Sequence, residues 1–223
     1  MIISFLSLKG GVGKTTLANN LAAYLKKEYN YKVLIIDTNG IYSSNLIFLN
    51  NEKLFGNKVY QGIKVLPYFH LKIIDNLDFS INDLNYLKRY YDVIIFDVLP
   101  NINYILSVEK ISDINFLVIN PDFYSLYVNK KLYDLLDKNK VKIVLNKYDK
   151  SIEIDFVEDV FKKEVYTVIP IIKDFINYQF QYQPIVFYNE KSKALKYIDE
   201  LAYCITGNKR KRSIFDIFDI IFR

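Results

Sequence analysis

The apolar positions of this chain fall into short, nearly unbroken runs at residues 2–8, 32–37, 63–69, 92–97, 115–120, 142–146 and 166–169. These runs are rich in β-branched residues and do not alternate with polar ones. That is the pattern of strands buried on both faces. Between most of them the apolar positions switch to helical spacing, over 14–29, 81–90, 126–138, 153–163 and 191–205. Strands alternating with helices predict an α/β chain, a doubly wound, mostly parallel sheet with helices on both faces and right-handed crossovers. No internal repeat or linker divides it, so the pattern predicts a single domain over 1–206 followed by a tail at 207–223.

The tail has its own pattern. Lys209, Arg210, Lys211 and Arg212 form a basic cluster, and Ser213 with Asp216 three places on reads as a helix start. On a helix over 213–223, Asp216, Asp219 and Arg223 share one narrow polar stripe, while Ile and Phe fill nearly everything else. A short aromatic-rich helix beside four basic residues fits a membrane interface, although two aspartates on its polar face oppose anionic lipid. Docking on a partner or second subunit, and packing back on the chain's own core, fit it equally. The basic cluster also suits DNA.

Composition narrows the class without naming a function. With 223 residues, 51% of them hydrophobic and 25% charged, the chain has the make-up of one globular domain. The lone Cys204 excludes an internal disulfide framework and a cysteine metal cluster, which fits a reducing cytoplasm. His70, the only histidine, has no sequence partner for catalysis. The apolar start lacks a basic leader, so no signal peptide is expected, and no apolar run reaches the ~18–20 residues of a bilayer span. A net charge of +5 permits contact with nucleic acid or an acidic membrane.

The chemistry concentrates behind the first strand. Lys9-Gly10-Gly11-Val12-Gly13-Lys14-Thr15-Thr16 lies between an apolar run and a helical pattern, the setting of a phosphate loop. Glycines let successive backbone N–H groups turn inward around phosphate oxygens, and the following helix adds the positive end of its dipole. Lys14 is expected on the β- and γ-phosphates, the Thr15 hydroxyl on Mg²⁺ and Thr16 on the α-phosphate. In the common G-x-x-x-x-G-K-T register the first glycine is Leu8, followed by Lys9. K-G-G-V-G-K-T-T therefore resembles the deviant phosphate loop of the ParA/MinD family, which belongs to the P-loop NTPases. In that family the first lysine crosses a dimer interface to the partner's nucleotide, and the resemblance gives Lys9 that role.

Other motifs extend the resemblance from about residue 1 to residue 206. The second strand ends Asp37-Thr38-Asn39-Gly40 where the family has D-x-D, so Asp37 matches the first aspartate and Asn39 replaces the second, which positions the attacking water. An amide orients water but cannot accept its proton. Slow hydrolysis is expected, with Asp37 in the Mg²⁺ shell or as a weak substitute base; Asn39-Gly40 also reads as a simple turn. Tyr91-Asp92-Val93-Ile94-Ile95-Phe96-Asp97 is a Walker B strand that places Asp97 at the Mg²⁺, although Val98 and Leu99 depart from the family's following residues. Asn146 and Lys147 occupy the family's base-contacting position, with Asn146 the base reader. Asn146-Lys147-Tyr148-Asp149 also fits the guanine-specific N-K-x-D pattern, so ATP is favoured with GTP as the competitor. Residues 183–187 resemble the family's base-side loop, and Lys191, Lys193 and Lys196 would line the last helix as a DNA-binding stripe.

The resemblance implies a Mg²⁺-dependent ATPase that forms a homodimer around ATP. Its first expected role is DNA partition: nonspecific DNA binding through the basic residues, a centromere-binding or other activating partner protein, and a cytoplasmic, nucleoid-associated location. The alternatives are a MinD-like positioning ATPase that meets a membrane surface through 213–223, and a barely hydrolysing regulatory or scaffold protein.

Overall fold

Side chains along each central strand point alternately to two faces, and in this chain both faces are apolar. Ile3, Phe5, Val33, Ile35, Val93, Ile95, Phe116 and Val118 look one way, while Ile2, Leu6, Leu34, Ile36, Ile94, Phe96, Leu117 and Ile119 look the other. Only helices on both sides can cover such a sheet. The computed structural model describes residues 1–38, 44, 59–60, 62–67 and 81–207. Asn39, His70, the end of the expected 63–69 strand, the basic cluster Lys209, Arg210, Lys211 and Arg212, and the helix at 213–223 lie outside the described residues.

Eight described strands form one sheet in the order β3-β4-β2-β5-β1-β6-β7-β8. They are β1 (Ile2–Leu6), β2 (Val33–Asp37), β3 (Val59–Tyr60), β4 (Ile63–Pro67), β5 (Val93–Asp97), β6 (Ile114–Ile119), β7 (Val141–Tyr148) and β8 (Val165–Pro170). All pairings are parallel except β3 with β4. This is the expected doubly wound fold, in a single domain. The two-residue β3 gave no apolar run to read.

Helices α1 (Lys14–Tyr29), α6 (Lys173–Gln181), α7 (Ile185–Tyr188) and α8 (Ala194–Thr206) cover one face. The other carries α2 (Ile81–Tyr90), α3 (Ile102–Ile111), α4 (Phe123–Tyr133) and α5 (Ile154–Phe161). The bounds of α1 and α2 match the expectation. Helices α3, α6 and α7 are additions; for α3 the signal was Asn101, whose side chain caps the helix by accepting from the Asn103 and Tyr104 N–H groups. The last helix starts at Ala194, later than expected. Ser192 explains this: its hydroxyl accepts from Ala194 N at 3.1 Å and donates to Asp174, tying the preceding turn to α6. Lys191 and Lys193 therefore precede α8 and only Lys196 sits on it, so the expected three-lysine helical stripe is not formed.

The topology also fixes where chemistry can happen. Strand β1 stands at the centre, and the chain winds outward from it in both directions, so the crevice at its carboxyl end is the natural ligand site of such a sheet. The register brings Phe5, Asp37 and Asp97 level on neighbouring strands at that edge.

Candidate nucleotide-binding site

The loop leaving β1 is shaped by two glycines in the left-handed region, Gly11 at φ 72° and Gly13 at φ 106°. Gly13 is also pressed from outside: a Cβ there would stand 2.4 Å from Asn146 Nδ2. At Gly10 and Gly11 such an atom would meet nothing within 4 Å, so the loop encloses open space. Among the described residues, the backbone N–H groups of Gly10, Gly11, Gly13, Lys14, Thr15 and Thr16 find no acceptor within the chain. A row of unmatched donors at the start of a 16-residue helix, around open space, fits an anionic ligand.

Side chains from distant strands hold this loop. Asn146 donates its amide to Val12 O at 2.7 Å, and Lys147, itself at φ 56°, donates Nζ to Gly11 O at 2.7 Å. The expected base reader is thus also a brace of the phosphate loop. Asn129 of α4 was not anticipated; its Oδ1 accepts from Ser7 Oγ at 3.1 Å and from Leu8 N at 3.0 Å. More than a hundred positions separate the partners, so no local pattern could have revealed the contact.

Lys14 is buried, and no carboxylate lies within ion-pair distance of it among the described residues. Burial pushes its ammonium below the ordinary lysine range, with Asp97 working in the opposite direction. A desolvated cation beside open space fits a phosphate. Thr15 Oγ1 donates to Asp97 Oδ2 at 2.6 Å, so the expected pair of Mg²⁺ residues is brought together. A hydroxyl and a carboxylate are hard oxygen ligands, and Mg²⁺ commonly takes one or two protein groups and completes its shell with phosphate and water. Thr38 braces the same edge, donating to Asp97 O at 3.0 Å and accepting from Leu99 N at 2.7 Å.

Asp37 stands level with Asp97 at the same strand edge. Its carboxylate is fully buried and accepts from Ser44 N at 2.9 Å. Lys9 Nζ donates to Asp122 Oδ2 at 2.6 Å within the same chain. Asp122 Oδ1 accepts from Ser125 N at 2.9 Å and so caps α4. Partial burial opposes ionisation of Asp122, but the Lys9 ammonium and the Ser125 and Tyr124 N–H groups hold it below the usual carboxylate range.

The cavity in front of the loop measures about 850 Å³. One wall is Gly10, Gly11, Gly13, Lys14, Thr15 and Thr16. The opposite wall is Pro170, Ile171, Ile172, Phe175, Ile176 and Gln179, from the end of β8 and from α6. Residues 183–187, expected to form the base-side loop, do not line it; Ile185 N instead donates to Asn20 Oδ1 at 2.9 Å and seats α7 on α1. Asp149 of the N-K-x-D sequence stays outside as well, exposed and accepting from Ser151 N at 3.0 Å. Lys191, Lys193 and Lys196 are exposed and do not line the cavity.

Residues 3–185 match the CobQ/CobB/MinD/ParA nucleotide binding domain. A ParA family protein of Mycoplasma pneumoniae is 29% identical over 179 residues, covering 64% of this chain and 66% of that protein. The fold is similar to that of the MinD cell division protein of Aquifex aeolicus, with a TM-score of 0.76 at 22% identity over 95% of this chain and 99% of that one. It is also similar to the septum site-determining protein MinD of Pyrococcus horikoshii, solved with Mg-ADP, with a TM-score of 0.75 at 24% identity over the same shares of the two chains. The loop, the Thr15–Asp97 pair and the match over most of the chain lead to one conclusion: the protein belongs to the CobQ/CobB/MinD/ParA nucleotide-binding family.

Proposed function

We propose that this chain is an ATP-driven switch that binds Mg-ATP, pairs with a second copy around two nucleotides, and separates after slow hydrolysis. The observation that carries the reading is the buried Lys14, with no carboxylate at ion-pair distance among the described residues, beside a loop of unmatched N–H donors. Thr15 and Asp97 would hold the Mg²⁺, which supplies positive charge to the phosphate oxygens when bound. Lys14 and the loop N–H groups hold the polyphosphate. The apolar wall from Pro170 to Gln179 takes the base, and ATP is favoured over GTP because Asp149 lies away from the cavity.

Lys9 stands at the rim of the site, and reaching a second protomer's phosphates requires it to leave Asp122. Asn39 cannot take a proton from water, so turnover without an activating partner is slow. The role that fits the basic surface is DNA partition, with nonspecific DNA held by Lys191, Lys193, Lys196 and the cluster from Lys209 to Arg212 in a nucleoid-associated, cytoplasmic protein. The second reading, positioning on a membrane surface, rests on the Ile- and Phe-rich sequence of residues 213–223.

Light scattering on the full-length protein tests the switch. Mg-ATP should double the mass and Mg-ADP should not, and Lys9→Ala should bind ATP yet stay monomeric. An ATP-bound chain that never dimerises overturns the switch. For the role, DNA retention that depends on ATP and weakens steeply with salt supports partition, whereas retention on anionic vesicles but not DNA transfers the reading to the membrane.

A further inference from the structure

Helix α4 and its cap hold Lys9 at both ends. At the tip, the ammonium donates to Asp122 Oδ2 at 2.6 Å, in a pair whose side chains are 26% and 41% exposed. At the base, Lys9 N donates to Ser7 Oγ at 3.2 Å, and Ser7 Oγ donates in turn to Asn129 Oδ1 at 3.1 Å. The same oxygen accepts from Leu8 N at 3.0 Å, so both of its acceptor positions are filled. Asn129 Nδ2 donates to Ser125 O at 2.9 Å, one turn back along α4, and Ser125 N donates to Asp122 Oδ1 at 2.9 Å. These bonds close a ring from Lys9 through the start of one helix and back to Lys9. The two ends of the ring differ in their solvent. Ser7, Ser125 and Asn129 are fully buried, whereas the ion pair meets water. A partly exposed pair is worth little and opens readily. Buried amide and hydroxyl groups are costly to leave unmatched, so the inner end stays joined.

We propose that Asn129 is a positioning residue for Lys9: it fixes the backbone beneath that side chain, so that the ammonium, on leaving Asp122, swings from a set point toward the phosphates of a second copy. The proposal rests on the switch reading and names a residue which that reading does not use. A lysine carries its charge on a flexible stem, and the stem loses freedom when the ammonium lands. A loose backbone at Ser7, Leu8 and Lys9 would add its own freedom to that loss. Asn129 removes it when the chain folds, so less is left to lose when two copies meet. The consequence is a division of labour along one helix: Asp122 is the catch that opens, and Asn129 is the pivot that does not.

Two measurements on the full-length chain test this: the dimer dissociation constant in saturating Mg-ATP, by sedimentation, and the affinity for Mg-ADP, by calorimetry. A parent that does not pair in Mg-ATP overturns the switch reading and the proposal with it. Given pairing, Asn129→Ala, which favours the helix locally, should weaken pairing about 10–30-fold, as expected when a buried N–H and a hydroxyl lose their acceptor. Mg-ADP affinity should fall by a factor about three or more times smaller, because a loosened loop alone would lower the two together. Equal losses overturn the proposal and leave the switch reading standing. Ser7→Ala should weaken pairing about 3–10-fold, and the double variant should be no worse than Asn129→Ala within about twofold, since the hydroxyl acts on Lys9 while Asn129 orients it. Losses that multiply overturn the proposal as well. If Asn129→Ala does not fold, Ser7→Ala carries the comparison: pairing should fall about twice as far as Mg-ADP affinity or further, and equal losses again overturn it.

Discussion

The two walls of the cavity recognise by different physics. The phosphate wall is backbone: N–H groups held in place by left-handed glycines, a desolvated lysine and braces from Asn129, Asn146 and Lys147. The opposite wall is apolar side-chain surface from Pro170 to Gln179, with Ile171 and Ile176 more than half exposed. The first wall demands particular residues at particular positions, since charge and donor direction tolerate little error. The second needs apolar area, which many sequences provide. One wall is therefore written as a motif and the other is not.

The sharpest way to break this contrast is Gly13→Ala. An alanine at φ 106° is strained by about 1–3 kcal/mol, and its Cβ would drive Asn146 from the Val12 carbonyl. Nucleotide affinity should fall more than about 30-fold with a lower melting temperature; a variant that binds Mg-ADP like the parent means the loop is not held as described. Phe175→Ala is a smaller change to the other wall. Losing apolar contact should weaken ADP about 3–10-fold and leave pyrophosphate within about twofold, and equal losses for the two ligands would mean the walls do not divide their work.

The smallest effect is a proton count. Burial holds Lys14 below the ordinary lysine range, so the empty chain carries a penalty when Lys14 is charged, relieved as pH rises through the lowered value. Phosphate beside the ammonium raises its pKa again. Binding should thus take up a fraction of a proton at pH values between the two, and affinity should fall as pH climbs past the lower one. Calorimetry in buffers of different ionisation heat measures this directly; proton release on binding contradicts it.

The contrast also explains what could be read in advance. The loop, α1 and the β5 strand ending in Asp97 were legible because glycine spacing, helical period and an apolar run closing on a carboxylate are local. Helix α6 was not. In Lys173–Gln181 the buried residue is Tyr178, while Ile176 and Phe180 are exposed, so its apolar period marks no stripe turned to the core. The Asn146 brace and the Lys9–Asp122 pair join residues more than a hundred positions apart, and tertiary packing alone creates them. The N-K-x-D letters did not show that Asp149 accepts a local hydrogen bond from Ser151 N.

Helices α1 and α8 run side by side in the same direction: Tyr24 Oη donates to Asp199 at 2.8 Å, and Tyr29 lies beside Thr206 one helix end further on. The chain thus leaves its last helix at Gly207, a full 16-residue helix, roughly 24 Å, from the phosphate loop. In the proposed pairing of protomers around nucleotide, each chain would leave its last helix about that far from its own phosphate loop. If the proposed pair holds a surface through both protomers, each grip would raise the local concentration of the other. Release of the nucleotide pair would turn one bivalent hold into two weak ones without altering a single contact on that surface.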